Sequence, residues 1–246
     1  MDKTTLEKIN KFTRRELKEE ELYTFSVILC DNEIDRDCER FSDDALETLK
    51  SMFIGKTGIF DHKPSTSNQT ARIFDTEIIT DESRTTKNNE PYKYLKASAY
   101  MVRTEDNKNL IAEIDGGIKK EVSISCSAAK RICSLCGREK SQGSCGHISG
   151  KSYGGRICHT ILDDVSDAYE WSFVAVPAQV NAGVTKKYSD NGCEKMPSAA
   201  ELPDVEKLCR EIRQLAFFNG VQKSFVVFPI FLDGKPFSGG EVVAQP

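Results

Sequence analysis

Glu121-Val122-Ser123-Ile124-Ser125-Cys126-Ser127 alternates apolar and hydroxyl-bearing residues without a break. Successive side chains of a β-strand point to opposite faces, so Val122, Ile124 and Cys126 face one side, and Ser123, Ser125 and Ser127 form a row on the other. A strand with one apolar and one polar face belongs to a sheet that covers a core on one side only. Working outward, Leu22 to Cys30, Gly58 to Asp61, Ala71 to Thr80 and Tyr92 to Val102 also read as strands, the last two joined through a polar loop from Asp81 to Glu90. Downstream, Ile157 to Leu162 and Tyr169 to Val176 resume strand character, and Pro177 ends the second of them. Helices are few. Residues 5 to 18 carry Leu6, Ile9 and Phe12 at helical spacing, Ser42 caps a helix running to about Met52, and Glu105 to Ile114 forms a third that Gly116 and Gly117 stop. The fold class is therefore mainly β with peripheral helices.

The chain has 246 residues, enough for one well-buried domain and an appendage. Residues 1 to 187 read as the compact domain. Residues 188 to 199 are turn-rich and lead into an appendage: a helix with a Val205, Leu208, Ile212 and Leu215 stripe, then the hydrophobic segment Phe225 to Leu232. With 34 Lys and Arg against 38 Asp and Glu, the formal charge is −4, and no basic block favours direct nucleic-acid binding. No stretch approaches the ~20 apolar residues of a membrane span, so a soluble, intracellular protein is expected.

Three histidines exist, His62, His147 and His159, which limits any histidine-dependent chemistry. A serine hydroxyl needs a neighbouring base to become a nucleophile, and a third group usually orients that base. Ser123 offers the first on its strand, His62 the second at the end of Gly58-Ile59-Phe60-Asp61, and Glu170 the third. The plainer readings are an ordinary surface histidine, a polar strand face and a solvent-facing carboxylate, and sequence alone cannot bring the three together.

Nine cysteines are an odd number, and Cys133, Cys136, Cys145 and Cys158 crowd into one segment, which suits a metal site in a reducing compartment better than a disulfide framework. The Cys133-x₂-Cys136 knuckle, then Cys145-Gly146-His147 and Cys158, offer five candidates for a closed tetrahedral zinc site, of which four suffice. A closed set gives zinc a structural role, ordering an insertion at about 130–160 that is too polar to hold a fold alone. The competing reading is a set of reduced thiols in a loop. Cys30, Cys38, Cys126, Cys193 and Cys209 read as core or surface thiols.

Several local motifs resemble the prohead (capsid maturation) serine proteases of tailed phages, which are similar to the herpesvirus assemblins. Val27-Ile28-Leu29 followed by Asp35-Arg36-Asp37-Cys38-Glu39-Arg40 resembles that family's first strand and its Asp-Arg-x-x-Glu-Arg turn. Ile59-Phe60-Asp61-His62 resembles the strand ending in the catalytic histidine, and Val122-Ser123-Ile124-Ser125 the segment carrying the nucleophile. Glu170-Trp171-Ser172-Phe173-Val174-Ala175-Val176-Pro177-Ala178 resembles the Glu-Val-Ser-Leu-Val-x-x-Pro-Ala signature. The resemblance spans residues 22 to 187 and implies a closed, mainly antiparallel assemblin-like β-barrel. It further implies endoproteolysis by Ser123, His62 and Glu170. Major capsid protein and scaffold precursor would be substrates, inside proheads in the host cytoplasm, with portal or other prohead components and a second copy of the chain as further partners. Ser125 stands where the family has glycine, which makes it a rival nucleophile. Self-cleavage between barrel and appendage is also expected from the family. Two other classes stand beside this one: a non-catalytic capsid assembly or scaffold protein that uses the zinc loop and tail for binding, and a zinc-dependent nucleic-acid adaptor, which the acidic balance disfavours.

Overall fold

A computed structural model describes residues 2–143 and 145–185, all within the first of the chain's two units, Met1–Ser189. The appendage, with its linker, helix and hydrophobic segment, lies outside the described residues. The elements are α1 (Lys3–Asn10), β1 (Leu22–Asp31), β2 (Glu39–Phe41), α2 (Asp43–Met52), β3 (Thr57–Phe60), β4 (Ala71–Thr85), β5 (Pro91–Val102), α3 (Lys108–Asp115), β6 (Val122–Cys133), β7 (Ser152–Tyr153), β8 (Arg156–Ile157), β9 (Thr160–Phe173) and β10 (Gly183–Val184). The mainly β reading with peripheral helices holds.

The first helix is shorter than its periodicity predicts. The Asn10 side chain both accepts from the Leu17 amide, at 2.9 Å, and donates to the Leu17 carbonyl, at 3.2 Å, which folds the next residues back as a loop instead of a further turn of helix. Ser42 caps α2 as expected, its hydroxyl accepting from the Ala45 amide at 3.0 Å; the same hydroxyl donates to Asp163 at 2.6 Å and so fastens the helix to β9. The polar segment expected as a loop after Thr80 instead continues β4 to Thr85, and the turn narrows to Thr86–Glu90. Arg84 lies over the Tyr92 ring, 3.9 Å from its centroid, and holds this hairpin extension together.

The main sheet runs β10-β1-β5-β4-β3-β9-β2, with β6 paired along β9. β2 and β3 both pair with β9 in parallel, so the sheet is mixed. The expected closed antiparallel ladder is not found as an unbroken ring. Among the described residues the start of β6 meets β10 through an isolated bridge, Glu121 to Gly183, with the Val184 amide donating to the Lys120 carbonyl at 2.7 Å and the Val122 amide to the Ala182 carbonyl at 3.4 Å. The approach is close enough that a Cβ on Gly183 would lie 2.9 Å from the Lys120 carbonyl oxygen.

The core contains Phe25, Val27, Leu29, Leu46, Leu49, Ile73, Leu95, Val122, Trp171 and Phe173. Trp171 is wholly buried, and its indole N–H has no hydrogen-bond partner among the described residues. Gly58 lies opposite Trp171 in the β3–β9 pairing, and a Cβ there would sit 2.4 Å from the indole ring. Gly58→Ala is expected to cost about 3 kcal/mol, at the upper end of overpacking penalties, because neither strand can give way without disturbing the sheet. Denaturant unfolding checks this; a change under about 0.5 kcal/mol would mean that the indole moves freely.

The region predicted as two strands, 157–162 and 169–176, is one strand, β9, which ends at Phe173. The intervening polar residues stay paired with β6 because two bulges absorb the conflict between their pattern and the sheet's alternation. The register passes from Ser125↔Glu170 to Cys126↔Ala168, and from Ser127↔Asp167 to Ala128↔Val165. Tyr169 and Ser166 are the extra residues. The Tyr169 bulge shifts the strand's phase so that Ala168 joins Trp171 and Phe173 in the core, and the Ser166 bulge shifts it back so that Val165 does too, while Glu170 and Ser172 lie on the opposite face.

Candidate active site and metal centre

The alternation of β6 holds in three dimensions. Val122 and Ile124 lie opposite Phe173 and Trp171 on the core side, and Ser123 and Ser125 lie opposite Ser172 and Glu170 on the other. Directly opposed residues of an antiparallel pair share a face with Cβ atoms about 5 Å apart. Ser123, Ser125, Glu170 and Ser172 therefore form one polar cluster.

His62 reaches this cluster through an unusual turn. β3 ends at Phe60, and Asp61 and His62 both adopt left-handed conformations, each with φ 52°. Two consecutive non-glycine residues in this region are energetically costly, and such strain persists only where surrounding bonds over-determine it. Here the Asp61 amide donates to the Phe173 carbonyl at 3.1 Å, the His62 amide to the Ser172 hydroxyl at 3.0 Å, and the Asn68 side chain to the carbonyls of Phe60 and Lys63. The turn carries the imidazole across the sheet end, where Nδ1 sits 2.7 Å from Glu170 Oε1. Glu170 is largely buried while His62 stays partly open to solvent, so the pair has a sheltered orienting end and an accessible outer end.

Ser172 is the participant that sequence reasoning missed. It is wholly buried, accepts from the His62 amide and donates to Glu170 Oε2 at 2.9 Å, so one hydroxyl fixes both the backbone of the base and the carboxylate behind it. The signal was present as Glu170-x-Ser172, since i and i+2 on a strand share a face. Ser127 is engaged with the Tyr169 hydroxyl at 2.8 Å, whereas the hydroxyls of Ser123 and Ser125 have no hydrogen-bond partner among the described residues.

The motif Asp35-Arg36 closes against Pro177-Ala178. Arg36 donates its backbone N–H to the Ala178 carbonyl at 3.1 Å and its guanidinium to the Pro177 carbonyl at 3.2 Å. Two stretches far apart in sequence thus form one structural joint, which holds the segment after β9 in place.

At the other end of β6 and β9 lie the cysteines. Cys133, Cys136, Cys145 and His147 bring their ligand atoms within 4.8 Å of one another, a group compatible with a metal ion. Thiolates bound to one zinc at ~2.3 Å in a tetrahedron stand about 3.8 Å apart, so the donors need only a small contraction. Gly137, with φ 69°, completes the Cys133–Cys136 knuckle and donates its N–H to the Cys133 carbonyl at 2.9 Å. Desolvation pushes the Cys133 thiol up, but backbone N–H groups of Leu135 and Cys136 and the neighbouring thiols outweigh it and bring the group to about 6, favouring the thiolate that a metal requires. Cys158 falls outside the group of four, although its sulfur is 3.9 Å from that of Cys133.

His159 is differently employed. Its Nδ1 faces the Ile157 carbonyl at 3.2 Å, and its Nε2 faces Arg40 Nε and Asn88 Nδ2, each at 3.3 Å. Burial, together with the Arg40 guanidinium, lowers its pKa and keeps it neutral, a structural acceptor. Among the described residues no helix is long and apolar enough to cross a membrane. No family model matches the chain, and neither a curated protein nor a solved structure matches it.

Proposed function

We propose that the chain is a serine endopeptidase of the prohead-protease type, with Ser123 as nucleophile, His62 as general base and then acid, and Glu170 as orienter. The observation that carries this reading is the β6–β9 register, which puts Ser123 and Ser125 on the face where His62 meets Glu170. Nδ1–H of the imidazole donates to Glu170, which leaves Nε2 as the base. Nε2 takes the Ser123 proton as Oγ attacks the scissile carbonyl, returns it to the departing amine, and then activates the water that hydrolyses the acyl-enzyme. Ser123 is preferred over Ser125 because it lies opposite the serine that holds the His62 backbone, and because it matches the nucleophile position in the resemblance. Ser172 is too buried to serve.

By the same resemblance, the Glu121–Gly183 bridge completes an assemblin-like barrel, and the metal is one structural zinc. Substrates would be scaffold and capsid precursors within the assembling phage head. Labelling with a fluorophosphonate, which reports an activated serine, should modify Ser123 in the native protein and leave Ser123→Ala unmodified. A native protein that takes up no label sinks the enzyme reading and leaves the non-catalytic assembly protein as its successor.

A further inference from the structure

A cleft of about 970 Å³ is lined by Phe60 and, behind it, by the nearly buried Phe173, ring centroids 5.7 Å apart. Its lining meets the proposed catalytic residues at two points along the chain: Asp61 immediately precedes His62, and Glu121 lies two positions before Ser123. At ~3.3 Å per extended residue, a chain whose scissile carbonyl sits at Ser123 enters this cleft within about two residues. Four carboxylates line it, Asp61, Asp106, Glu113 and Glu121, against the single ammonium of Lys119. Asp61 faces Lys63 at 3.5 Å, but Asp106, Glu113 and Glu121 form no ion pair among the described residues. Lys119 Nζ lies 6.0 Å from the centroid of the Phe60 ring, so that ring already accommodates one cation over its face.

We propose that this cleft binds the flank of a basic peptide, taking a lysine or arginine side chain within about two residues of the scissile bond. The inference rests on the serine endopeptidase reading and adds its substrate class. A long cationic side chain lays its methylene stem on the Phe60 ring and brings its head to Glu113 and Glu121. An acidic peptide meets repulsion in the same place.

The test separates binding from cleavage. Fluorescent peptides identical except for lysine, glutamine or glutamate at the positions around the cut are titrated by anisotropy into Ser123→Ala protein. The lysine peptide is expected to bind roughly tenfold tighter than the glutamine peptide at low salt, with an advantage that shrinks at high salt. Glu113→Gln with Glu121→Gln should collapse that advantage, and Lys119→Glu should enlarge it. Equal binding of all three peptides, or a preference that neither variant moves, overturns the proposal. Fluorophosphonate labelling of Ser123 is read in parallel. Labelling without a lysine preference overturns the cleft assignment alone, and a lysine preference without labelling overturns the protease reading while supporting a basic-peptide site.

Discussion

Ser123→Ala and His62→Ala are each expected to lower peptide cleavage by roughly 10³-fold or more, and the double variant to cost little beyond either single one. The reason is that nucleophile and base act as one unit: without the imidazole the hydroxyl stays protonated, and without the hydroxyl the imidazole has nothing to deprotonate. Ser125→Ala is the internal control, because its hydroxyl shares the face yet lies opposite Glu170 instead of Ser172. Glu170→Gln keeps the shape but loses the charge that steadies imidazolium, and Ser172→Ala removes both the acceptor for the His62 amide and the donor to Glu170. Both should act on kcat more than on KM, with Ser172→Ala costing roughly 10- to 100-fold, as expected for hydrogen bonds worth about 1–3 kcal/mol. Ser172→Thr should recover part of that loss by restoring the hydroxyl. A dead Ser125→Ala beside an active Ser123→Ala would shift the nucleophile by one strand repeat; normal cleavage by all of these variants would end the protease assignment.

Removing the metal should have the second large effect. Purified protein is expected to carry about one zinc per chain, and chelation to open residues 134–159 to limited proteolysis, because little in that segment is apolar and the metal is what ties its knuckle together. Cys133→Ser should lose the metal outright. His147→Ala and Cys158→Ser discriminate within the sulfur-rich cluster: the proximity of Cys133, Cys136, Cys145 and His147 predicts weaker zinc binding in the first and unchanged stoichiometry in the second. Metal analysis after gel filtration, paired with protease digestion, reads both. Metal-free protein as resistant as metal-bound protein would remove the structural role.

The alternation of Val122 to Ser127, the cap at Ser42 and the position of His62 at a strand end were legible because each depends on a few neighbouring residues. What was not legible depends on pairing. Nothing local to Tyr169 announces a bulge, yet without it Ala168 and Glu170 would have to share a face, and one of them would be on the wrong side of the sheet. Ser172 looked like one polar residue in an apolar strand, and its role appears only when His62, 110 residues away, folds over it. The continuity of β9 was hidden for the same reason: its polar middle reads as a loop until β6 supplies a partner along its length. The parallel pairings of β2 and β3 with β9 are invisible to periodicity, which carries no information on strand direction.

The long connection between β6 and β9 gives the cysteine cluster an influence on the serines that distance would not suggest. Hairpins ordinarily set their register through a tight turn, and a slip of one residue inverts every side chain. Here the connection runs from Ser134 to His159, too long for a turn to count residues. A metal clip starting at Cys133 would serve as the zero mark from which alignment is measured, about 33 Å along the strand from Ser123 at ~3.3 Å per residue. Any insertion of a single residue into β6 between Ser123 and Cys133 would then turn Ser123 away from His62, whereas a matched insertion in both strands would lengthen the span and leave the hydroxyl in place.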